Sequence, residues 1–470
     1  MLFSMDIEKL KQKILDLAIR GKLVPQDPND EPSSVLIEKI KNEKNELIKQ
    51  GKIKPTKDDS YIYRGSDNCY YEKKGKNTYN ISKEIPFDIP NSWIWTRLSV
   101  LTSKIQYGLN YPSKMSGKNK YLRITDIQNN QVNWENVPYV NITKDEEGFL
   151  LNNNDIVFAR TGATVGKSFL VINPPIGATF ASYLIRIVIN DYDIAQYLYS
   201  FFQSSFYWNQ IIDKAIGSTQ PNCNGTKLAS LLVPVPPLCE IKKINEKINM
   251  ILPKIENIIK LKKDTLSLVE SLKKAILSSF FDSENSTYKS YYGNKISTTL
   301  KELIPKDKIG DGDWVLSENM DENGEYSLVQ LKHIGNGTYN FNKNYNHINS
   351  VFFKQNNCSE IKENYILINR LITSNMNVCL LPKLEFKTIT SVDICWIAPD
   401  ERYNQEYIMY YLLSPSFQKK VFTKGSGSTR KRISKKNLIN IPINIHELEY
   451  QQIIVNKIKE IFKILDSFIS

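Results

Sequence analysis

The chain has three histidines in 470 residues, and His333, His347 and His446 lie far apart. Its six cysteines, Cys69, Cys223, Cys239, Cys358, Cys379 and Cys395, form no C-x-x-C pair. Local spacing therefore offers no metal cluster, and dispersed single thiols fit a reducing cytosol. Met1–Lys13 lacks the apolar core of a secretory signal, and no apolar run is long enough to cross a bilayer. These absences predict a cytoplasmic chain with no membrane partner and no metal of its own. Acid is also in deficit: 50 Asp and Glu against 62 Lys and Arg leave a net charge of +12. Excess cations favour a polyanionic partner, because each one set near a phosphate releases a counterion. A general abundance of lysine is the plainer source of the same charge.

What the chain does have is a diverged second copy of itself. YLRITDI at Tyr121–Ile127 returns as LVQLKHI at Leu328–Ile334, and DIVFAR at Asp155–Arg160 returns as YILINR at Tyr365–Arg370. GST at Gly217–Thr219 returns at Gly427–Thr429, and LVPV at Leu232–Val235 returns as NIPI at Asn440–Ile443. The offset stays within roughly 207 to 210 residues. Two similar surfaces joined by helices are suited to reading two halves of one extended ligand.

The length allows about three domains, each with its own core. Ile7, Leu10, Ile14 and Leu17 predict an amphipathic helix stopped at Gly21; Ser33 and Ser34 can cap a second, and Gly51–Glu84 reads as a polar, weakly structured arm. Strands are expected at Val100–Ile105, Tyr121–Ile127, Asp155–Ala159, Ser168–Ile172 and Tyr183–Ile189, followed by a helix over Ile194–Ala215. Ile241, Ile244, Ile248, Ile251, Ile255 and Ile258 alternate by three and four, the seam of a coiled coil that weakens at Lys262 and Thr265 and extends to Phe281. Pro253 predicts a kink or break in it. The second globular copy is placed from Gly312-Asp313-Trp314, matched to Ser92-Trp93, to Ile443, and a last helix carries Ile454, Ile458, Ile461 and Leu465. Leu10–Leu15 resembles Leu272–Leu277, so the repeat reads as circularly permuted, its cut inside a helix. The expectation is an α+β chain: two similar globular domains separated by long antiparallel helices, with approximate two-fold symmetry. Its divisions are 1–21 (a helix pairing with the C-terminal helical region), 22–85, 86–238, 239–281, 282–444 and 445–470.

GKLVPQDPNDEPSSVLIEKI at Gly21–Ile40, IPFDIPNSWIWTRL at Ile85–Leu98, ARTGATVGK at Ala159–Lys167, the Pro-Val-Pro-Pro exit into a helix, and GSGSTRKRISKKNL at Gly425–Leu438 occur in that order. In this arrangement the chain resembles the specificity (S) subunits of type I restriction–modification systems. The resemblance implies that the two globular domains are target-recognition domains, each reading one half of a bipartite double-stranded DNA site. It implies helices that fix the spacer and dock two methyltransferase (modification) subunits, to which restriction/translocase subunits join. The chain itself is then non-catalytic, and S-adenosylmethionine, ATP and Mg belong to partner subunits. The specificity subunit of a type IIB-like methyltransferase–nuclease system is the alternative. Glu240-Ile241 departs from the family's Glu-Gln after the proline exit, and Asp126 becomes His333 in the second copy.

The remaining motifs bear on this reading. TGATVGKS at Thr161–Ser168 misses a phosphate-binding P-loop at its first residue, where a Gly is required. A strand-end loop presenting Arg160, Thr164 and Lys167 to DNA fits better, with Arg370 recurring in the second copy. NPPI at Asn173–Ile176 lacks the aromatic that stacks on an extruded base, and Glu385-x-Lys387 has no upstream acid to make a nuclease. The basic cluster Lys424, Arg430, Lys431, Arg432, Lys435 and Lys436 suits phosphates, with Arg430 or Arg432 able to read guanine. Its counterpart Gln220, Asn222 and Asn224 suits adenine edges. Tyr107, Tyr111, Trp208 and Tyr339 read as core or domain surface.

Overall fold

The computed structural model describes residues 7–53, 60–128, 130–215, 222–282, 291–341, 343–427 and 431–469. The chain divides into two compact units, Met1–Lys260 and Leu261–Ser470.

The first unit opens with helix Ile7–Ile19, which buries Ile14, Leu15, Ala18 and Ile19 along one stripe. Helix Ser33–Lys49 follows, and Ser33 Oγ donates to Val235 O at 2.7 Å. The arm expected over residues 51–84 is corrected. Ser60–Arg64, Tyr70–Lys74 and Asn77–Asn80 form a three-stranded antiparallel meander. Ser60 and Ile62 point inward while Tyr61 and Tyr63 point out, the two-residue period of a half-buried strand. Ile62 and Ile81 pack with Trp95 and Leu232. Buried Glu72 accepts from Arg97 at 3.1 and 2.7 Å, and Arg97 also reaches Glu84 at 3.0 Å. Composition reads such a segment as a linker because its anchor is a hidden charge network with few apolar residues.

Beyond the meander, four antiparallel strands lie in the order Ser168–Leu170, Ile156–Ala159, Leu184–Val188, Lys104–Tyr107. A second sheet orders Thr179–Phe180, Asn119–Leu122 and Tyr139–Val140, its first pair parallel. Leu232–Val235 closes on Ile94–Arg97. The other unit repeats all three. Its strands run Val378–Leu380, Ile366–Asn369, Ile394–Ile397, Ile309–Asp311, then Lys387–Thr390, Tyr326–Val329, Asn346–Ile348, with Pro442–His446 on Lys295–Thr299. Register is kept pair for pair: Ile156 opposite Ile187 becomes Ile366 opposite Ile397, and Ala159 opposite Leu184 becomes Asn369 opposite Ile394.

That register corrects the start of the second copy. Helix Leu98–Leu101 follows Arg97 as helix Leu300–Leu303 follows Thr299, and Arg97 faces Leu232 as Thr299 faces Pro442; Lys295 is therefore the counterpart of Trp93, and LVPV aligns with Pro442–Ile445 instead of NIPI at Asn440–Ile443. Leu109 bridges Ala181 as Asp313 bridges Ser391, so Gly312-Asp313 matches Gly108-Leu109 instead of Ser92-Trp93. The shared tryptophan misled the alignment because the connections between these strands differ in length.

Helices occupy equivalent places: Tyr192–Phe201 and Ser205–Ala215 in the first unit, Gln405–Leu413 and Pro415–Lys424 in the second. The single helix expected over 194–215 is thus two, broken where Ser204 Oγ donates to Phe201 O at 2.7 Å. Leu238–Phe281 is one unbroken 44-residue helix, with exposed Pro253 inside it. Its seam residues fall into separate cores. Ile241, Ile244 and Ile248 pack with Ala18 and Ile19 in the first unit. Ile251 is half-buried, Ile255 buried, and Ile258 50 % exposed. In the second unit Ile454 and Ile458 of helix Leu448–Ser467 pack with Leu277, Phe280 and Phe281, with Ile461 at the margin and Leu465 half-buried. The first helix packs within its unit: Asp16 accepts from Ser205 Oγ at 2.9 Å, and Lys11 pairs with Glu256 at 2.8 Å. All six cysteines are free, and among the described residues no helix is long and apolar enough to cross a membrane.

Candidate nucleic-acid interface

In the first unit, strand Ile156–Ala159 ends on Arg160 and the loop Thr161–Lys167 returns to strand Ser168–Leu170. The P-loop likeness ends there, since a P-loop leads from a strand into a helix whose free amides cradle phosphate. Here the amides are used within the loop: Val165 donates to Gly162 O at 3.1 Å, Gly166 to Ala159 O at 2.8 Å, and Lys167 to Thr164 O at 3.0 Å. Asn222 bridges Thr161, and Cys223 N donates to Arg160 O at 2.9 Å. Arg160, the loop and Asn222 are therefore brought together.

The individual side chains divide between surface and support. The Arg160 guanidinium lies over the Tyr107 ring at 4.8 Å and bonds Ser182 O at 3.4 Å. Tyr107 Oη in turn accepts from Gly225 N at 2.8 Å. Thr164 and exposed Lys167 line an open cleft with Lys11, Gln12, Gln203 and Trp208. Asn224 caps helix Gly225–Ala229 by accepting from Lys227 N at 2.9 Å, so its side chain is committed to the fold. Gln220 lies outside the described residues.

The second unit builds the same corner with more charge. Ile433 N donates to Arg370 O at 3.0 Å, as Cys223 does to Arg160, and Lys431–Arg432 pairs with Leu371–Ile372. Asn222 and Arg432 are thus equivalent. Arg370 is 6 % exposed and pairs with Asp311 at 3.2 Å, which also holds Lys435 at 3.3 Å. Arg432 pairs with Asp393 at 3.0 Å. Lys431 Nζ sits 3.6 Å from the centre of the Phe422 ring. Lys424 and Lys436 are exposed, with no ion pair recorded among the described residues. Arg430 lies outside them.

Register explains these differences. Tyr107 faces Ile185 as Asp311 faces Cys395, so the ring under Arg160 is replaced by the carboxylate under Arg370. The backbone of Tyr183 accepts from Arg160 N as that of Asp393 does from Arg370 N. Arg370 is a buried anchor of the corner, and Lys431, Arg432, Lys424 and Lys436 are its outward cations. Sequence reasoning missed Asp311 and Asp393, although the constant offset already sets Asp393 on Tyr183. A related exchange occurs in the turn before it. Asp126 accepts from Arg123 N at 2.9 Å, and His333 Nδ1 does the same for Gln330 N at 2.9 Å, so the histidine replaces the acid as a cap.

The other motifs resolve simply. Ile176 is fully exposed after a turn in which Asn173 takes φ +46. Lys387 lies 5.3 Å from the Tyr326 ring centre. No group of three or more metal-ligating side chains occurs among the described residues.

The family model for the type I restriction modification DNA specificity domain matches twice, over residues 104–271 and 294–469. This chain belongs to that family. The EcoAI specificity subunit of Escherichia coli is 31 % identical over 286 residues, 58 % of this chain and 45 % of that protein. The chain therefore spans under half the length of that relative. The putative MjaX specificity subunit of Methanocaldococcus jannaschii is 24 % identical over 412 residues, 82 % of this chain and 91 % of that one. A chain solved in a study of complex assembly and conformational transition of the type I R-M system shares the fold, with TM-score 0.58 and 18 % identity over 82 % of this chain and 93 % of its own.

Proposed function

We propose that this chain is the DNA sequence-specificity subunit of a type I restriction–modification enzyme. Each unit reads one half of a bipartite, asymmetric duplex site, and the helices set the spacer. The observation that carries this is one scaffold, identical in strand order and register, with divergent side chains at one corner: Tyr107, Asn222 and Tyr183 against Asp311, Arg432 and Asp393. A shared scaffold positions two readers alike, and divergent corners distinguish two half-sites. The type I names of the matched relatives favour this reading over a type IIB-like system.

The chain is non-catalytic on this reading. Two methyltransferase subunits dock on its helices and restriction subunits join through them; S-adenosylmethionine, ATP and Mg bind those partners. Leu261, Leu268 and Leu272 support a docking face, standing 55, 59 and 40 % exposed on one side of the long helix. Mapping methylated adenines genome-wide, with and without the gene, tests the proposal. A two-part motif with a fixed gap should vanish on deletion; an unchanged methylome overturns it.

A further inference from the structure

The meander of residues 60–80 stands outside both stretches matched to the specificity-domain family. It also has no equivalent stretch of sequence in the second copy. Residues 20–93 separate the first helix from strand Ile94–Arg97, whereas residues 282–294 separate the long helix from strand Lys295–Thr299. The repeat therefore does not account for it.

Its two faces differ in chemistry. The inner face is held by Ile62 and by Glu72 on Arg97. On the outer face Tyr61 stands opposite Lys73 and Tyr63 opposite Tyr71, so these four side chains share one side. Tyr61 and Tyr63 remain 47 and 40 % exposed. Tyr63 and Tyr71 stack at 5.8 Å, with Tyr61 a further 5.7 Å from Tyr63. Lys73 and Lys41, the latter on helix Ser33–Lys49, bring their ammonium groups to 5.8 and 6.0 Å of the Tyr61 ring centre. Three acids of this region are engaged: Glu72 and Glu84 pair with Arg97, and Asp67 accepts from Tyr71 Oη at 2.7 Å and Cys69 N at 3.0 Å.

A row of exposed rings flanked by cations, with Glu72, Glu84 and Asp67 held elsewhere, fits a polyanion that also offers flat aromatic groups. Unpaired nucleotides have both properties. A duplex keeps its base faces stacked and offers phosphates, and an acidic peptide or lipid headgroup offers charge with no base to stack. We propose that this tyrosine–lysine face binds single-stranded nucleic acid, with bases on Tyr61 and Tyr63 and phosphates at Lys41 and Lys73. This function is additional to duplex reading and does not depend on it.

Fluorescence anisotropy of the full chain with a labelled oligothymidylate of about 12 nucleotides tests it. Tyr63→Ala should weaken binding about five-fold or more, and Tyr63→Phe should retain it. Lys73→Ala should lower the slope of log K against log salt by about 0.7. Affinity for a duplex of the same length should not change in either variant. Should Tyr63→Ala fail to fold, Lys41→Ala provides the same electrostatic test from the neighbouring helix. The proposal is overturned if these variants leave oligothymidylate binding unchanged or weaken the duplex equally. Loss of methyltransferase-subunit binding with oligothymidylate affinity intact overturns it too, in favour of a protein partner.

Discussion

Arg186 and Asp155 form a buried ion pair across two adjacent strands of the first unit, Nη1 to Oδ2 at 3.1 Å, with both side chains almost wholly hidden. Their counterparts in the second unit, Trp396 and Tyr365, are an aromatic pair with ring centres 5.7 Å apart. Burial pushes the Asp155 carboxyl up and the Arg186 guanidinium down, in each case against the partner's charge. Desolvation therefore outweighs attraction, as expected for an ion pair taken out of water. Arg186 also binds Gln106, Gly148 O and Leu150 O. In the second unit Gly310 takes the place of Gln106, and the Trp396 indole lies where a side chain at that position would stand.

Breaking the pair on one side should be costly. Asp155→Asn leaves a buried cation uncompensated and should destabilise the chain by about 3–5 kcal/mol. Arg186→Trp alone should fail because Gln106 occupies the ring's space. The triple exchange Asp155→Tyr, Arg186→Trp, Gln106→Gly imports the second unit's solution and should recover most of the loss. Urea unfolding of the three variants measures this, and a triple variant no better than Asp155→Asn would sever the proposed equivalence.

Stability should depend on pH through the second unit. All three histidines lie there, and His333 and His446 are fully buried. Burial lowers both, His446 to about 4, where its Nδ1 lies 2.7 Å from Tyr407 Oη. An unfolded histidine near 6.5 takes up a proton before the folded one does. The stabilisation is thus complete above about pH 6.5 and lost as the pH falls toward 4, on the order of 3 kcal/mol for His446. His446→Gln should flatten that part of a plot of urea midpoint against pH; an unchanged slope would assign the acid sensitivity elsewhere.

The repeat was legible because buried strands keep their apolar pattern when surfaces diverge, and Ile156–Ala159 and Ile366–Asn369 still align after the corners have changed. The meander was illegible because Glu72 and Arg97 hold it, and a paired buried charge looks like any surface charge in a sequence. Helix seams were legible as buried stripes, without their partners. Ile241 and Ile454 have the spacing of a helix seam and each is completely buried in the core of its own unit, but spacing alone cannot name the partner. Of the candidate DNA contacts, Arg370 was recognisable as important but not as buried, since its acid Asp311 lies on a distant strand.

Substitutions on the helices should separate folding from assembly. Ile458 is fully buried, so Ile458→Asp places an ion in the second unit's core and should unfold that unit. Leu268→Asp lies on the exposed face and should leave the thermal midpoint within about a degree or two while weakening capture of methyltransferase subunits. Co-purification together with calorimetry distinguishes the two, and intact assembly by Leu268→Asp would remove that face from the docking surface.

Cations at the second unit's corner should differ in kind. Lys436→Ala, if it loses one phosphate contact, should weaken binding to all duplexes alike and reduce the salt slope by about one. Arg432→Ala, at the position of Asn222, should relax one base position by about 1–3 kcal/mol of discrimination. Arg370→Ala should lower stability first, because Asp311 then stays half-buried without its nearest cation. Salt titrations on specific and random duplexes decide among these outcomes.

Exchanging residues 86–238 for the equivalent segment of a relative should change one half of the methylated motif and leave the other half and the gap intact. The segment keeps its own strand pairings, from Ile94–Arg97 to Leu232–Val235, so the exchange cuts at the closed end of the unit. Contacts that cross the cut must be matched in the donor, among them Arg97 Nη2 to Glu72 at 2.7 Å, Ser205 Oγ to Asp16 at 2.9 Å, Trp93 Nε1 to Glu240 at 2.7 Å and Ser33 Oγ to Val235 O at 2.7 Å. A donor with another residue at position 93 would leave the Glu240 carboxylate, already pushed up by burial, with Gln26 but without the indole donor to its second oxygen. That chimera should fail by instability instead of by altered reading, and Glu240→Gln should rescue it. Methylome sequencing of the folded chimera gives the decisive result: a change in both halves at once would mean that the two units do not read independently.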